Sequence, residues 1–138
     1  MKAAVIVDTN VVVAAFPMAR NDLPFAAILQ GMLNAAFPFA VSAPLLAEYR
    51  EVLSRPALHK LHALDALAIE SLVEGIARHA IVVEPAACAP APDPGDQMLW
   101  ELLAARSDLV LVTSDKLLLR DRAMCGRVIT PEAFLAAV

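Results

Sequence analysis

Short, charge-free apolar runs alternate with segments of helical periodicity along the chain, and this alternation constrains the fold more than any other feature. The runs Ala3–Val7 and Leu109–Val112 are apolar throughout and contain β-branched residues, which is typical of strands buried on both faces. Strands joined by helices need crossover connections, whose handedness places helices on both faces of a parallel sheet. We therefore predict one α/β domain, residues 1–138, built around a mainly parallel sheet.

The same patterns define the individual elements. Strands are predicted at Ala3–Val7, Phe39–Val41, Ile81–Val83, Leu109–Val112 and Arg127–Ile129. Helices are predicted at Phe25–Ala36, from Pro44 to the Arg55-Pro56 pair, and at Asp65–His79, Gly95–Arg106 and Pro131–Ala137, with a helical turn at Asp115–Leu119. The segment Pro85–Pro94 is rich in proline and alanine and is predicted to be a loop.

The composition raises the question of a membrane, because 59% of the residues are hydrophobic, 19% are charged and the mean hydropathy is +0.63. The longest charge-free stretch, Leu23–Ala47, contains Pro38, which would divide a spanning helix of about 20 residues into two short pieces. Near the N-terminus, Asp8 interrupts the apolar run too early for a secretory signal. We predict a cytoplasmic protein with a very apolar interior and no membrane association.

Net charge and cysteine content bear on nucleic-acid binding and on the redox state of the thiols. The net charge of −4 and the isoelectric point of about 5.2 argue against nucleic-acid binding through bulk positive charge. They leave room for an active site that is itself made of carboxylates. Cys88 and Cys125 have neither CxxC spacing nor a histidine nearby in the sequence, and we predict that both are reduced thiols.

Four acidic residues lie where predicted strands end or predicted helices begin, namely Asp8, Glu48, Asp96 and Asp115. Ligands of open parallel α/β sheets bind beyond the carboxyl ends of the strands, so all four are expected to converge on one rim of the sheet. Each residue taken alone also has a structural explanation. Asp8 and Asp115 suit helix N-caps, Asp96 suits a first helical turn, and Glu48 suits a solvated helix face.

Clustered carboxylates repel one another and therefore need a cation or raised pKa values. A set of oxygen ligands without His or Cys favours Mg²⁺ or Mn²⁺. Such ions suit phosphate chemistry, because they can lower the pKa of a bound water and stabilise a leaving oxygen. The three histidines, His59, His62 and His79, lie in or beside helical segments away from the rim and are interpreted as surface or packing residues.

The order of these motifs resembles that of the PIN-domain ribonucleases over essentially the whole chain. The matching segments are VIVDTNV (Val5–Val11), LLAEYREVLSRP (Leu45–Pro56), DPGDQMLWELLAARSD (Asp93–Asp108), LVTSDKLLL (Leu111–Leu119) and ITPEAFL (Ile129–Leu135). The resemblance implies a central five-stranded parallel sheet and an endoribonuclease that depends on Mg²⁺ or Mn²⁺. It implies catalytic and metal-binding roles for Asp8, Glu48, Asp96 and Asp115, and supporting roles for Asn10, Thr113 and Asp93. Gln97 departs from the pattern, because relatives often carry a further acid or Asn there.

The segment Glu48–Pro56 is similar to a subgroup described as toxin components of toxin–antitoxin systems, related to VapC-type toxins. That resemblance implies an antitoxin protein as partner and a homodimer. Exposed apolar surface for such contacts is expected on Phe25–Phe39 and on the final helix. Contacts to RNA phosphates are expected from Arg50, Arg55, Lys116 and Arg120. Arg50 and Arg55 are explained equally well as paired surface residues.

Other classes of α/β protein share parts of this pattern of motifs. A haloacid-dehalogenase-like phosphatase also begins with an Asp after strand one, but it requires a second Asp at the position of Asn10. A receiver domain needs a phosphoacceptor at the end of the third strand, and Glu84–Cys88 holds no convincing candidate. A nucleotide-binding module needs a glycine-rich loop, and Thr9–Val13 has no glycine. The non-enzyme alternative, an inactive PIN-like domain that binds RNA or a protein, stays open.

Overall fold

A computed structural model describes residues 4–16, 24–121 and 127–137 of the chain. The strands, in chain order, are β1 (Val5–Val7), β2 (Ala40–Val41), β3 (Ile81–Val82), β4 (Val110–Val112) and β5 (Val128–Ile129). The helices are α1 (Thr9–Ala14), α2 (Phe25–Leu33), α3 (Ala43–Leu53), α4 (Pro56–His62), α5 (Ala66–His79), α6 (Gln97–Ala105), α7 (Lys116–Leu119) and α8 (Pro131–Ala137). A 3₁₀ turn at Pro94–Asp96 leads into α6.

The predicted elements are confirmed with small shifts at their ends, and α1 and α4 are additions. Helix α2 ends before the predicted Ala36 because Ala35 adopts a left-handed conformation with a φ of 56°. The Arg55-Pro56 pair ends α3 as predicted, but Pro56 also suits the first turn of a helix and begins α4. The parts of the predictions that fall on Ala3, Leu23 and Cys125 lie outside the described residues.

The strands do not form the one central five-stranded sheet that the resemblance implies, so that prediction is wrong for the part of the chain described. Its strands form two parallel sheets, one with the order β1-β4-β5 and one that pairs β2 with β3. The sheets meet where Val5 forms an isolated parallel bridge with Phe39 and Val5 N donates to Pro38 O at 3.2 Å. Pro38 has no N–H to donate and β2 is two residues long, which limits the ladder between β1 and β2.

The pairing register of β1 against β4 determines where the polar residues that follow these two strands lie. Val7 pairs with Val112, and Asp8 N donates to Val112 O at 3.0 Å. On the other side of β4, Thr113 N donates to Ile129 O at 3.1 Å. The carboxyl ends of three neighbouring strands therefore coincide, and the residues that follow β1 and β4 lie side by side.

Helix α3 follows β2 directly and is held by a cap and by its buried face. Ser42 Oγ accepts a hydrogen bond from Leu45 N at 3.2 Å, which satisfies one of the free N–H groups of the first turn. Leu45, Tyr49 and Leu53 recur at helical spacing and are completely buried. The packing of this face fixes the rotation of α3 and directs Glu48 towards the ends of β1 and β4.

Burial explains most of the apolar composition. The large exposed apolar side chains of the described residues are Leu61, Leu67, Ile81, Val82 and Leu117. None of these large side chains lies in 25–39 or α8, where exposed apolar surface is expected. Phe37 packs edge to face against Phe134 of α8, with ring centroids 4.9 Å apart. Helices long and apolar enough to cross a bilayer are absent from the described ranges.

Gly31, in α2, provides a test of this packing. A Cβ at Gly31 would lie 2.4 Å from Cε1 of Phe37, whose ring packs edge to face against two other phenylalanines. We expect Gly31→Ala to lower the free energy of unfolding by about 1–3 kcal/mol in urea denaturation. The control is Gly75→Ala in α5, where the new Cβ meets the flexible end of Leu33 at 3.1 Å and a gain of up to about 1 kcal/mol is expected. Equal stability of the two variants would contradict the prediction.

Candidate active site

The four acidic residues assigned to the rim lie together in one cleft of about 440 Å³. The cleft is lined by Asp8, Thr9, Asn10, Val13, Glu48, Val52, Arg55, Ala57, Leu58, Asp96 and Asp115. Helices α1, α3 and α4 supply one side, and the starts of α6 and α7 supply the other. The structure thus brings the predicted carboxylates together, while their roles as metal ligands remain predictions.

Thr113 connects the residues that follow β1 with those that follow β4. Its Oγ1 donates to Asp8 Oδ2 at 2.7 Å and accepts from Asp115 N at 3.0 Å. It also accepts from Asn10 Nδ2 at 3.4 Å. Thr113 is completely buried, so one hydroxyl group holds Asp8, Asn10 and the backbone of Asp115 in fixed positions relative to one another.

Thr9 and Tyr49 attach α3 to the end of β1. Thr9 Oγ1 donates to Glu48 Oε2 at 2.5 Å, and the Tyr49 hydroxyl donates to the carbonyl oxygen of Val7. The two bonds place Glu48 next to Asp8. Thr9 was not among the predicted site residues, although its position in the Asp-Thr-Asn motif was a signal that could have identified it.

Burial and neighbouring negative charge raise the pKa values of Asp8 and Asp96. Burial raises the pKa of Asp8 above its ordinary value, and the charges of Glu48 and Asp115 raise it further, while the hydrogen bond from Thr113 opposes the shift. Burial, together with the neighbouring carboxylates, raises the pKa of Asp96 from its ordinary 3.8 to about 6. Both pKa shifts arise first from burial and then from the negative charge of the neighbouring carboxylates.

Asp93 and Gln97 stabilise the turn that leads into α6. Asp93 Oδ1 accepts from Gly95 N at 2.9 Å and caps the 3₁₀ turn that carries Asp96. Gln97 Oε1 accepts from Ala91 N at 2.7 Å, and Gln97 Nε2 lies 3.5 Å from Cys88 Sγ. Gln97 therefore holds the preceding loop against α6.

The four predicted basic residues do not all lie at the cleft. Arg50 pairs with Glu70 of α5, and Arg55 pairs with Glu51 through contacts of 2.9 and 3.2 Å. Of the basic set, Arg55 lines the cleft, whereas Arg50, Lys116 and Arg120 are exposed and do not line it. The alternative interpretation of Arg50 and Arg55 as paired surface residues is thus confirmed, and their contact with RNA stays a prediction.

The oxygen atoms of the side chains that line the cleft are suitable ligands for a hard divalent cation. Carboxylate and amide oxygens are the ligands that such ions prefer, and the raised pKa values of Asp8 and Asp96 indicate a need for positive charge. Asn10 Oδ1 is buried and has no hydrogen-bond partner. Among the described residues, however, no group of three or more His, Cys, Asp or Glu side chains is close enough to hold a metal ion as it stands. Binding would therefore require side-chain rotations.

Comparison with known proteins gives one family match. Residues 4–117 match a family model described as PIN domain. The matched segment includes all four carboxylates of the cleft and ends just after Asp115. No match was found among curated proteins.

Asp96 gives the metal-free protein a characteristic pH dependence. Its pKa is raised from 3.8 to about 6 in the folded chain, so the folded state binds its proton more tightly and stability falls as the pH rises through this interval. We expect Asp96→Asn in EDTA to raise the melting temperature at about pH 8 and to change it much less at about pH 4.5. Glu74→Gln, an exposed position of α5 outside the cleft, is the control. A gain that does not depend on pH would contradict the prediction.

Proposed function

Because the chain belongs to the PIN-domain family, whose members are generally nucleases and usually use divalent metal ions, we propose that it is an endoribonuclease dependent on Mg²⁺ or Mn²⁺. The observation that carries the proposal is the convergence of Asp8, Glu48, Asp96 and Asp115 on one cleft. The proposal treats residues 1–138 as a single PIN-like domain, since Phe134 of α8, beyond the matched segment, packs into the same core.

The chain's own residues would position the carboxylates for this reaction. Asp8, Glu48, Asp96 and Asp115 would hold the ion, which supplies Lewis acidity towards the phosphate and activates a water molecule. Thr113 restrains Asp8 through a hydrogen bond of 2.7 Å, and Thr9 restrains Glu48 through one of 2.5 Å. The residues that line the cleft include no histidine, so proton transfers would fall to carboxylates and water.

Two alternatives remain for comparison. A catalytically inactive PIN-like module that binds RNA or protein is favoured by the lack of a preformed ligand group in the described residues. A haloacid-dehalogenase-like phosphatase is disfavoured, because the position that needs a second Asp is Asn10, whose Nδ2 contacts Thr113. RNA binding without cleavage would support the first alternative.

The proposal predicts that the purified protein cleaves single-stranded RNA with Mg²⁺ or Mn²⁺ and not in EDTA. Asp8→Asn and Asp115→Asn should each lower the cleavage rate by about 100-fold or more, because each removes a charge from the metal-binding set. Glu74→Gln, an exposed position away from the cleft, should cleave at the wild-type rate.

Two outcomes of the cleavage assay would overturn the proposal. One is cleavage that persists in EDTA, and the other is full activity of both Asn variants. A thermal melt tests binding of the metal ion independently of catalytic activity. An ion that binds only the folded chain must raise the melting temperature, so the absence of a shift with Mn²⁺ would contradict the metal site even if some cleavage were seen.

We further propose that the chain is the toxin of a toxin–antitoxin pair, which acts on cytoplasmic RNA, forms a homodimer and is inhibited by a small antitoxin protein. The resemblance of the Glu48–Pro56 segment to VapC-type toxins supports this proposal. The exposed apolar side chains of Leu61, Leu67, Ile81 and Val82 offer surface for protein partners.

Induced expression of the chain is expected to arrest the growth of the host cell, because RNA cleavage removes templates for protein synthesis. Asp8→Asn at an equal protein level should allow growth. Light scattering on the purified protein tests the dimer. Equal growth of cells that express the wild type and cells that express Asp8→Asn would contradict the proposed toxin function. A monomer mass would contradict the proposed homodimer.

A further inference from the structure

We infer that the cleft contains a binding site for one unpaired nucleobase of the RNA, formed by apolar side chains beside the carboxylates. This apolar wall consists of Val13, Val52, Ala57 and Leu58. The inference rests on the proposed function, because it specifies how the substrate of the same cleft is held. It assigns substrate binding to residues that take no part in bond cleavage.

Helical spacing places the apolar wall at a defined distance from the carboxylates. Val13 lies one turn after Thr9 in α1, and Val52 lies one turn after Glu48 in α3. Thr9 Oγ1 and Glu48 Oε2 are hydrogen-bonded, so the two helices lie close together at this point, and Val13 and Val52 line the same cleft. One turn rises about 5.4 Å, comparable to the ribose that separates a phosphate from its base. A phosphate at the carboxylates therefore has its base at the apolar wall.

Charge favours the same orientation of the substrate. Asp96 and Asp115 also line a second cavity of about 190 Å³, whose other polar residues are Asp93 and Asp121. An RNA backbone that extended into this cavity would meet the carboxylates of Asp93 and Asp121 in addition to those proposed to hold the ion. The apolar wall carries no charge and lies beside Arg55 in the cleft, so a base can be buried against it without removing an ion from water.

The size and composition of the cleft indicate a single base. Its volume of about 440 Å³ lies within the range of small-molecule sites, roughly 300–1,000 Å³. A base can enter only when it is unstacked and unpaired. The residues that line the cleft are not aromatic, so the base contacts aliphatic groups by apolar packing, which discriminates weakly between the four bases.

Helix α4 allows the apolar wall to be tested without loss of the fold. None of the residues of α4 is buried. Leu58 lines the cleft, whereas Leu61, one turn further along, is 44% exposed and does not line it. Leu58→Ala and Leu61→Ala therefore form a matched pair, and a circular-dichroism melt should give both variants a melting temperature near that of the wild type.

The first experiment compares binding of adenosine and of ribose to the metal-free protein by NMR titration. Both probes are uncharged, so neither needs a metal ion to offset the carboxylates. We expect adenosine to bind about tenfold more tightly than ribose. Leu58→Ala should weaken adenosine binding by about three- to tenfold, while Leu58→Met restores it and Leu61→Ala leaves it unchanged.

The second experiment uses cleavage of RNAs in which one nucleotide at a time lacks its base. An abasic residue next to the cleaved bond should raise KM and leave kcat almost unchanged, because the base contributes to binding and not to the chemical step. With Leu58→Ala, the intact RNA should behave like this abasic RNA.

Three outcomes would overturn the base site. They are equal binding of adenosine and ribose, equal effects of Leu58→Ala and Leu61→Ala, and tighter binding of N-acetyl-leucinamide than of adenosine. The last outcome would instead indicate a surface for a protein partner. Adenosine binding that depends on Leu58, combined with no cleavage of any RNA, would overturn the nuclease and leave the base site standing.

Discussion

The burial of one carboxylate at the end of β1 is the constraint on which the site depends. Asp8 is 7% exposed, and an ionised group in such a position is costly unless hydrogen bonds or positive charge compensate. Thr113 supplies one bond from the end of β4, so the pairing of two strands provides part of the compensation. Glu48 and Asp115 add negative charge instead, and a cation in the cleft would relieve what remains.

The sequence was sufficient for features that depend on local pattern. Asp8 follows a buried apolar run, and Glu48 lies on a helix with a clear apolar stripe, so both could be placed near the rim. The bond between Thr9 and Glu48 joins residues 39 positions apart and depends on how α1 packs against α3, which periodicity does not encode. Pro56 suited both a helix end and a helix start, and for that reason α4 and its part of the apolar wall were missed.

Under the proposed function, the position of Arg55 would suit an acidic chain to an anionic substrate without a basic surface. Arg55 lines the cleft while its guanidinium is paired with Glu51, an exposed neighbour one turn away. Exposed pairs of this kind contribute about 0–1 kcal/mol, so Arg55 can exchange Glu51 for a phosphate at little cost.

The break between the two sheets has a consequence for the ligand set. Asp8 and Asp115 follow strands of one sheet, whereas Glu48 lies on the helix that follows a strand of the other. Across the break, the position of Glu48 depends on the bridge at Val5 and on the bonds of Thr9 and Tyr49, not on a continuous ladder. Two of the carboxylates thus follow strands of the larger sheet, whereas Glu48 belongs to the smaller one. A change in the position of α3 relative to β1 would therefore alter the distance of Glu48 from Asp8 without breaking the pairing of β1 with β4.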